Sequence, residues 1–226
     1  MNYIKLLLFI GFAFNKLNTA AQTSKTKIKP ITFSKEADNL QPVSGIFGVY
    51  NSRFDYYARV RNVLFLDSFS FVPVIRFVAL SSFTSESALI INRDFQNNKY
   101  YLTYRISKKN IWHATNNDTL EFNEIVKEIP FTTVELLKNL FSEAISKARY
   151  PKRNMHSGLD GTSYIFILNE RGIKSGRSGS PKKGTKVFEL VEICSELIEL
   201  VKITKENLLE IDSSFYKKIK RLTKRF

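Results

Sequence analysis

ALIINRDFQNNKYYLTYRIS, residues 88–107, is the clearest β-hairpin pattern in the chain. β-Branched and aromatic residues fill both arms, and such residues favour a half-buried strand. The polar residues 96–98 separate the arms, and asparagine tolerates the left-handed backbone conformation that a tight hairpin turn requires. We therefore predict two antiparallel strands, 88–95 and 99–107, joined by that turn.

The segments on either side extend this hairpin into a larger sheet. Residues 111–114, which include Trp112, and residues 120–129 predict the third and fourth strands of a meander. Residues 46–83 are rich in Phe, Tyr and Val and also predict strands, with 69–80 as a buried strand. Residues 163–168 predict one more strand, apolar and aromatic throughout.

Two segments repeat apolar residues at intervals of three and four, which is the spacing of an amphipathic helix. The first follows Pro130, has Thr132 or Thr133 as its N-cap, and ends near Lys147. The second spans about 187–201 and carries Cys194 in its apolar stripe. Its opposite side, which we interpret as a solvated face, holds Glu189, Glu192, Glu196 and Glu199. These patterns predict an α+β fold in which an antiparallel β-meander sheet packs against two amphipathic helices.

The segment 204–226 predicts a basic C-terminal helix. Residues 215–226 contain no acid, and their cations are Lys217, Lys218, Lys220, Arg221, Lys224 and Arg225. Phe215, Ile219, Leu222 and Phe226 fall on one side of such a helix. A basic helix of this kind can lie on an anionic membrane or on nucleic acid with its phenylalanines buried. We prefer the alternative, in which this narrow apolar stripe docks on the domain and the lysines stay in water.

Residues 1–21 have the pattern of a cleavable signal peptide. Lys5 precedes the apolar run 6–14, which is shorter than the roughly 20 residues that a transmembrane helix needs. Small residues follow at the position where signal peptidase cleaves. We predict cleavage after Ala20 or Ala21, a secreted or periplasmic location, and no transmembrane helix after cleavage.

The remaining chain divides into three parts. Residues 22–45 are polar and predict a leader or an early edge segment. Residues 46–203 predict a single α+β domain, and 204–226 the basic helix.

Composition limits the classes of function. The 226 residues carry a formal net charge of +14, and removal of Lys5 and Lys16 with the signal peptide lowers it to +12. A charge of this size predicts non-specific attraction to polyanions. The hydrophobic share of 43% is too high for a disordered chain. The single cysteine excludes an intramolecular disulfide, and with only two histidines no zinc-ligand spacing is present.

Catalytic chemistry has weak support in this sequence. Cys194 lies in an apolar helix stripe, where we expect a buried and unreactive thiol. His156 and Asp160 allow a hydrolase hypothesis, but a catalytic triad is defined by geometry rather than by proximity in sequence. We prefer to interpret Asp160 and Gly161 as turn residues, because Asp bonds its own backbone and Gly accepts positive φ. No cofactor is expected.

A Gly-rich segment at 172–184 offers a candidate anion-binding site. Backbone amides, lysines and hydroxyls in a loop that leads into a helix N-terminus can hold an anion. The candidate residues are Lys174, Ser175, Arg177, Ser178, Lys182 and Lys183. A flexible surface loop is the alternative, because Gly, Ser and Pro clusters commonly form loops without a ligand.

A short motif carries a family resemblance. Residues 158–166 read GLDGTSYIF, and a Gly/Ser/Pro segment and a Leu-rich amphipathic helix follow. In this arrangement the chain, over about residues 86–202, resembles small secreted bacterial proteins. The resemblance implies an α+β domain with a meander and two helices, and it supplies no catalytic residues.

These observations favour an exported, non-catalytic binding or interaction protein of the cell envelope or exterior. The expected partner is a protein or a polyanionic ligand, without specific nucleic-acid recognition, and a monomer is expected. Two alternatives remain: a basic protein that associates with an anionic membrane surface or nucleic acid, and a hydrolase that uses the region of His156 and Asp160.

Overall fold

A seven-stranded antiparallel sheet organises the chain in the computed structural model, which describes residues 38–43, 54–65, 73–115, 118–150 and 161–226. All of these residues lie in one compact unit, 33–226. The strands are β1 (Gln41–Pro42), β2 (Ile75–Ser81), β3 (Ser87–Asp94), β4 (Lys99–Ser107), β5 (Phe122–Glu128), β6 (Thr162–Asn169) and β7 (Ile173–Gly179). The helices are α1 (Phe54–Val60), which continues as a π-helix (Arg61–Phe65), α2 (Phe131–Ser146), α3 (Lys186–Ile203) and α4 (Ser213–Arg225).

The strand order is β1-β7-β6-β2-β3-β4-β5. The meander β2 to β5 is therefore present, but β6 returns to pair with β2 and places that strand near the centre of the sheet. The hairpin between β3 and β4 is confirmed, and Asn98 has the left-handed φ of 51° that the turn requires. The prediction of an α+β fold built on an antiparallel sheet is confirmed.

Two strand predictions are wrong. Residues 111–113 form a turn, because the amides of Ile111 and Trp112 donate to the side chain of Glu86 rather than to a neighbouring strand. The second error is at 54–65, which is helical. The predicted buried strand 69–80 is a strand only from Ile75 onward, and residues 66–72 lie outside the described part of the chain.

Helices cover both faces of the sheet. One face packs against α2, α3 and α4 in a core that includes Phe77, Leu102 and Phe166. The other face packs against α1 and the π-helix in a smaller core that includes Val78 and Ile90. The expectation of two covering helices was therefore too simple, since the described residues contain four α-helices.

Helices occur at both of the places where the apolar spacing predicted them, as α2 and α3. The N-cap prediction for α2 is wrong, because the helix begins at Phe131 directly after Pro130 and no side chain caps it. Thr133 is buried and lies 3.0 Å from the Tyr216 hydroxyl on α4, with which it shares a hydrogen bond. By contrast, α3 has a side-chain cap, since Thr185 Oγ1 accepts from the Phe188 amide at 3.1 Å.

The Gly-rich segment is a strand for most of its length, not a loop. β7 pairs with β6 from Ile173 to Gly179, so the sheet overrides the weak strand propensity of glycine and serine. Gly176 serves close packing, because a Cβ at that position would lie 2.9 Å from Leu40 Cδ1. Gly161, directly before β6, has a φ of +124°, as the turn interpretation predicted.

Part of the predicted polar leader forms an edge strand. β1 pairs with Arg177 and Gly176 of β7. The remaining leader residues, apart from 38–40 and Val43, lie outside the described residues, as does the predicted signal peptide.

Candidate anion-binding surfaces

The basic C-terminal helix α4 packs mainly against α2 and α3. Its buried side chains are Phe215, Ile219 and Leu222, each at most 2% exposed. The arrangement is the docked one that we preferred from the sequence.

The start of α4 is defined by a carboxylate cap. Asp212 Oδ1 accepts from the Phe215 amide at 2.8 Å. This hydrogen bond, followed by one from the Ser214 hydroxyl, lowers the pKa of Asp212. An ionised cap also interacts favourably with the positive end of the helix dipole.

Two of the six cations of α4 form ion pairs with α3. Lys218 Nζ lies 2.5 Å from Glu196 Oε2. Arg225 Nη1 donates to both carboxylate oxygens of Glu189, at 2.7 and 2.5 Å, and this interaction raises the pKa of Arg225. Part of the glutamate row that we interpreted as a solvated face therefore neutralises the side of α4 that faces α3.

The other four cations form a line on the outside of α4, which we call the outer stripe: Lys217, Lys220, Arg221 and Lys224. All four are exposed, and none forms an ion pair with another described residue. Their spacing of three, one and three residues places them on one helix face, opposite Phe215, Ile219 and Leu222. At 1.5 Å per residue the stripe is about 10 Å long.

The six candidate residues of the Gly-rich segment do not converge. Side chains alternate along a strand, so Lys174 and Ser178 lie on the helix-covered face with Phe166, whereas Ser175 and Arg177 lie on the opposite face with Ile165. The Ser175 hydroxyl donates to a backbone oxygen, that of Val43. Lys182 and Lys183 are exposed and follow the strand.

The N-terminus of α3, which was expected to help hold the anion, already has acceptors. The Phe188 amide donates to Thr185, and the Lys186 amide donates to the carboxylate of Asp38. Lys186 Nζ lies 3.8 Å from the same carboxylate. An external anion would have to replace Asp38 at this helix end. Anion binding by the six residues stays a prediction, without a shared cradle to support it.

The start of α3 contacts the end of the C-terminal helix. Lys186 Nζ lies 5.0 Å from the Phe226 ring centroid. Lys182 and Lys183 precede α3 in the sequence.

The candidate nucleophile is inaccessible. Cys194 is 2% exposed, and burial raises the pKa of its thiol. A thiol without its anionic form is a poor nucleophile. His156 and Asp160, on which the hydrolase hypothesis depends, lie outside the described residues. Within the described ranges, no group of three or more His, Cys, Asp or Glu side chains is placed to hold a metal ion.

A buried carboxylate at Glu86 was not anticipated from the sequence. Glu86 has no exposed surface and accepts from the Tyr56 hydroxyl at 3.1 Å and from the amides of Ile111 and Trp112 at 2.7 and 3.0 Å. The sequence around it, Ser85-Glu86-Ser87, shows no pattern that would mark a buried acid. Its hydrogen bonds explain the turn at 111–113 and give it a structural role.

Two shallow grooves open on the described surface. One, of about 490 Å³, lies beside the β3–β4 hairpin and includes the exposed Phe95. The other, of about 480 Å³, lies between Tyr164 and α3. Its glutamates include Glu196, which is paired with Lys218. Neither groove presents a set of converging catalytic groups.

No family model, curated protein or solved structure matches this chain. None of the helices in the described ranges has the length and apolar character needed to cross a bilayer.

Proposed function

We propose that the chain is an exported, non-catalytic binding protein of the cell envelope or exterior, monomeric, with a polyanionic partner. The observation that carries this proposal is the outer stripe: four exposed cations on one face of a helix that the core holds in place. Clustered charge on one face is the electrostatic footprint of a polyanion-binding surface. The buried thiol of Cys194 is consistent with a role other than catalysis.

Binding through this surface is electrostatic and not sequence-selective. The chain contains no recognition motif for nucleic acid, and the outer stripe consists only of Lys and Arg. Each phosphate contact that a cation neutralises on duplex DNA adds about 0.9 to the slope of log K against log salt. Four contacts therefore give a slope of roughly 3.6 from this surface.

The test compares two variants that each lose four positive charges. One is K217Q/K220Q/R221Q/K224Q, which removes the outer stripe. The matched variant is K174Q/R177Q/K182Q/K183Q, which removes the cations of the Gly-rich segment. Glutamine has nearly the helix propensity of lysine, and all eight positions are exposed, so both variants should fold normally.

Binding is measured on duplex DNA and on a sulfated polysaccharide over a range of salt concentrations. We expect the outer-stripe variant to lose most of the binding and of the salt slope, and the matched variant to retain both. Loss in the matched variant alone would move the site to the Gly-rich segment. Failure of the wild-type protein to bind any polyanion at low salt, or tight sequence-selective binding at physiological salt, would overturn the proposal.

Export has a separate test. The signal-peptide pattern at 1–21 predicts a mature protein that begins at Ala21 or Gln22. Mass spectrometry of periplasmic or extracellular material should find that N-terminus, whereas an intact Met1 in this material would contradict processing.

A further inference from the structure

We draw no further inference here: the strongest candidate, the shallow groove between Tyr164 and α3 with its apolar floor and glutamate rim, carries nothing, because no part of the chain that the structure describes shows what covers it.

Discussion

Deletion of residues 213–226 should destabilise the whole domain, because α4 completes the main core. Phe215, Ile219 and Leu222 are each at most 2% exposed. Burial of a large apolar side chain stabilises by about 1.5–3 kcal/mol, so the three together contribute roughly 5–9 kcal/mol. This is comparable with the total stability of a typical domain, about 5–15 kcal/mol. The deletion also exposes the apolar surfaces of α2 and α3 that α4 covers.

The assay is urea unfolding followed by circular dichroism at pH 7. With a urea dependence of about 2 kcal/mol per molar, a loss of this size lowers the midpoint by more than about 2 M or leaves the chain unfolded without urea. The full-length variant K217Q/K220Q/R221Q/K224Q is the control, since exposed substitutions change stability by at most about 0.5 kcal/mol. A shortened protein with an unchanged midpoint would refute the assignment of α4 to the core.

Three further predictions follow from individual side chains. Glu86→Ala should destabilise the protein by roughly 3–5 kcal/mol in the same urea assay, because it removes the buried carboxylate that accepts from the Tyr56 hydroxyl and from the amides of Ile111 and Trp112. Glu86→Gln should cost less, and equal, small effects would contradict the network. Cys194 should react slowly with a thiol reagent in the native protein and rapidly in urea, so fast native labelling would show that α3 is placed wrongly. Asp212→Ala should lower the melting temperature at pH 7, while Asp212→Asn should retain much of the cap. The hydrogen bond from Phe215 lowers the pKa of Asp212, so the ionised cap stabilises the folded protein above the ordinary Asp pKa of about 3.9. This stabilisation is lost as pH falls through the lowered pKa. A difference in melting temperature between wild type and Asp212→Ala that persists undiminished in strong acid would contradict this cause.

Regular patterns in the sequence predicted the elements that depend on local spacing. The β3–β4 hairpin was predicted from an asparagine turn between two strand-forming arms, and α3 from its apolar repeat around Cys194. In both cases the local preference and the tertiary environment agree, since the turn has its left-handed residue at Asn98 and the stripe of α3 is buried. Such agreement is what makes an element predictable.

Elements that depend on distant partners were missed. The helix at 54–65 was taken for strands because aromatic and β-branched residues are common there. Yet Tyr56, Val60 and Leu64 repeat every four residues and face one core. Arg105, from β4, donates to the carbonyls of Leu64 and Phe65 at the end of the π-helix. A stabilising cation forty residues away leaves no local pattern in the sequence.

The candidate site shows the same division. The basic character of α4 and its apolar stripe were predicted from residue spacing. Its cations divide into two that pair with α3 and four that pair with no residue in the described part of the chain. This division was not predicted, because it depends on how Glu189 and Glu196 of α3 lie against α4. For β7, glycine and serine suggested a loop, and only pairing with β6 explains the strand.

The return of β6 to the side of β2 has a consequence for biosynthesis. β2 ends at Ser81, but its partner β6 begins only at Thr162. Until the ribosome has made those later residues, one side of β2 is an open strand edge, the kind of surface that pairs with other chains and aggregates. The nascent chain therefore cannot complete its sheet while its first half is being synthesised, and β2 must wait for its second partner strand.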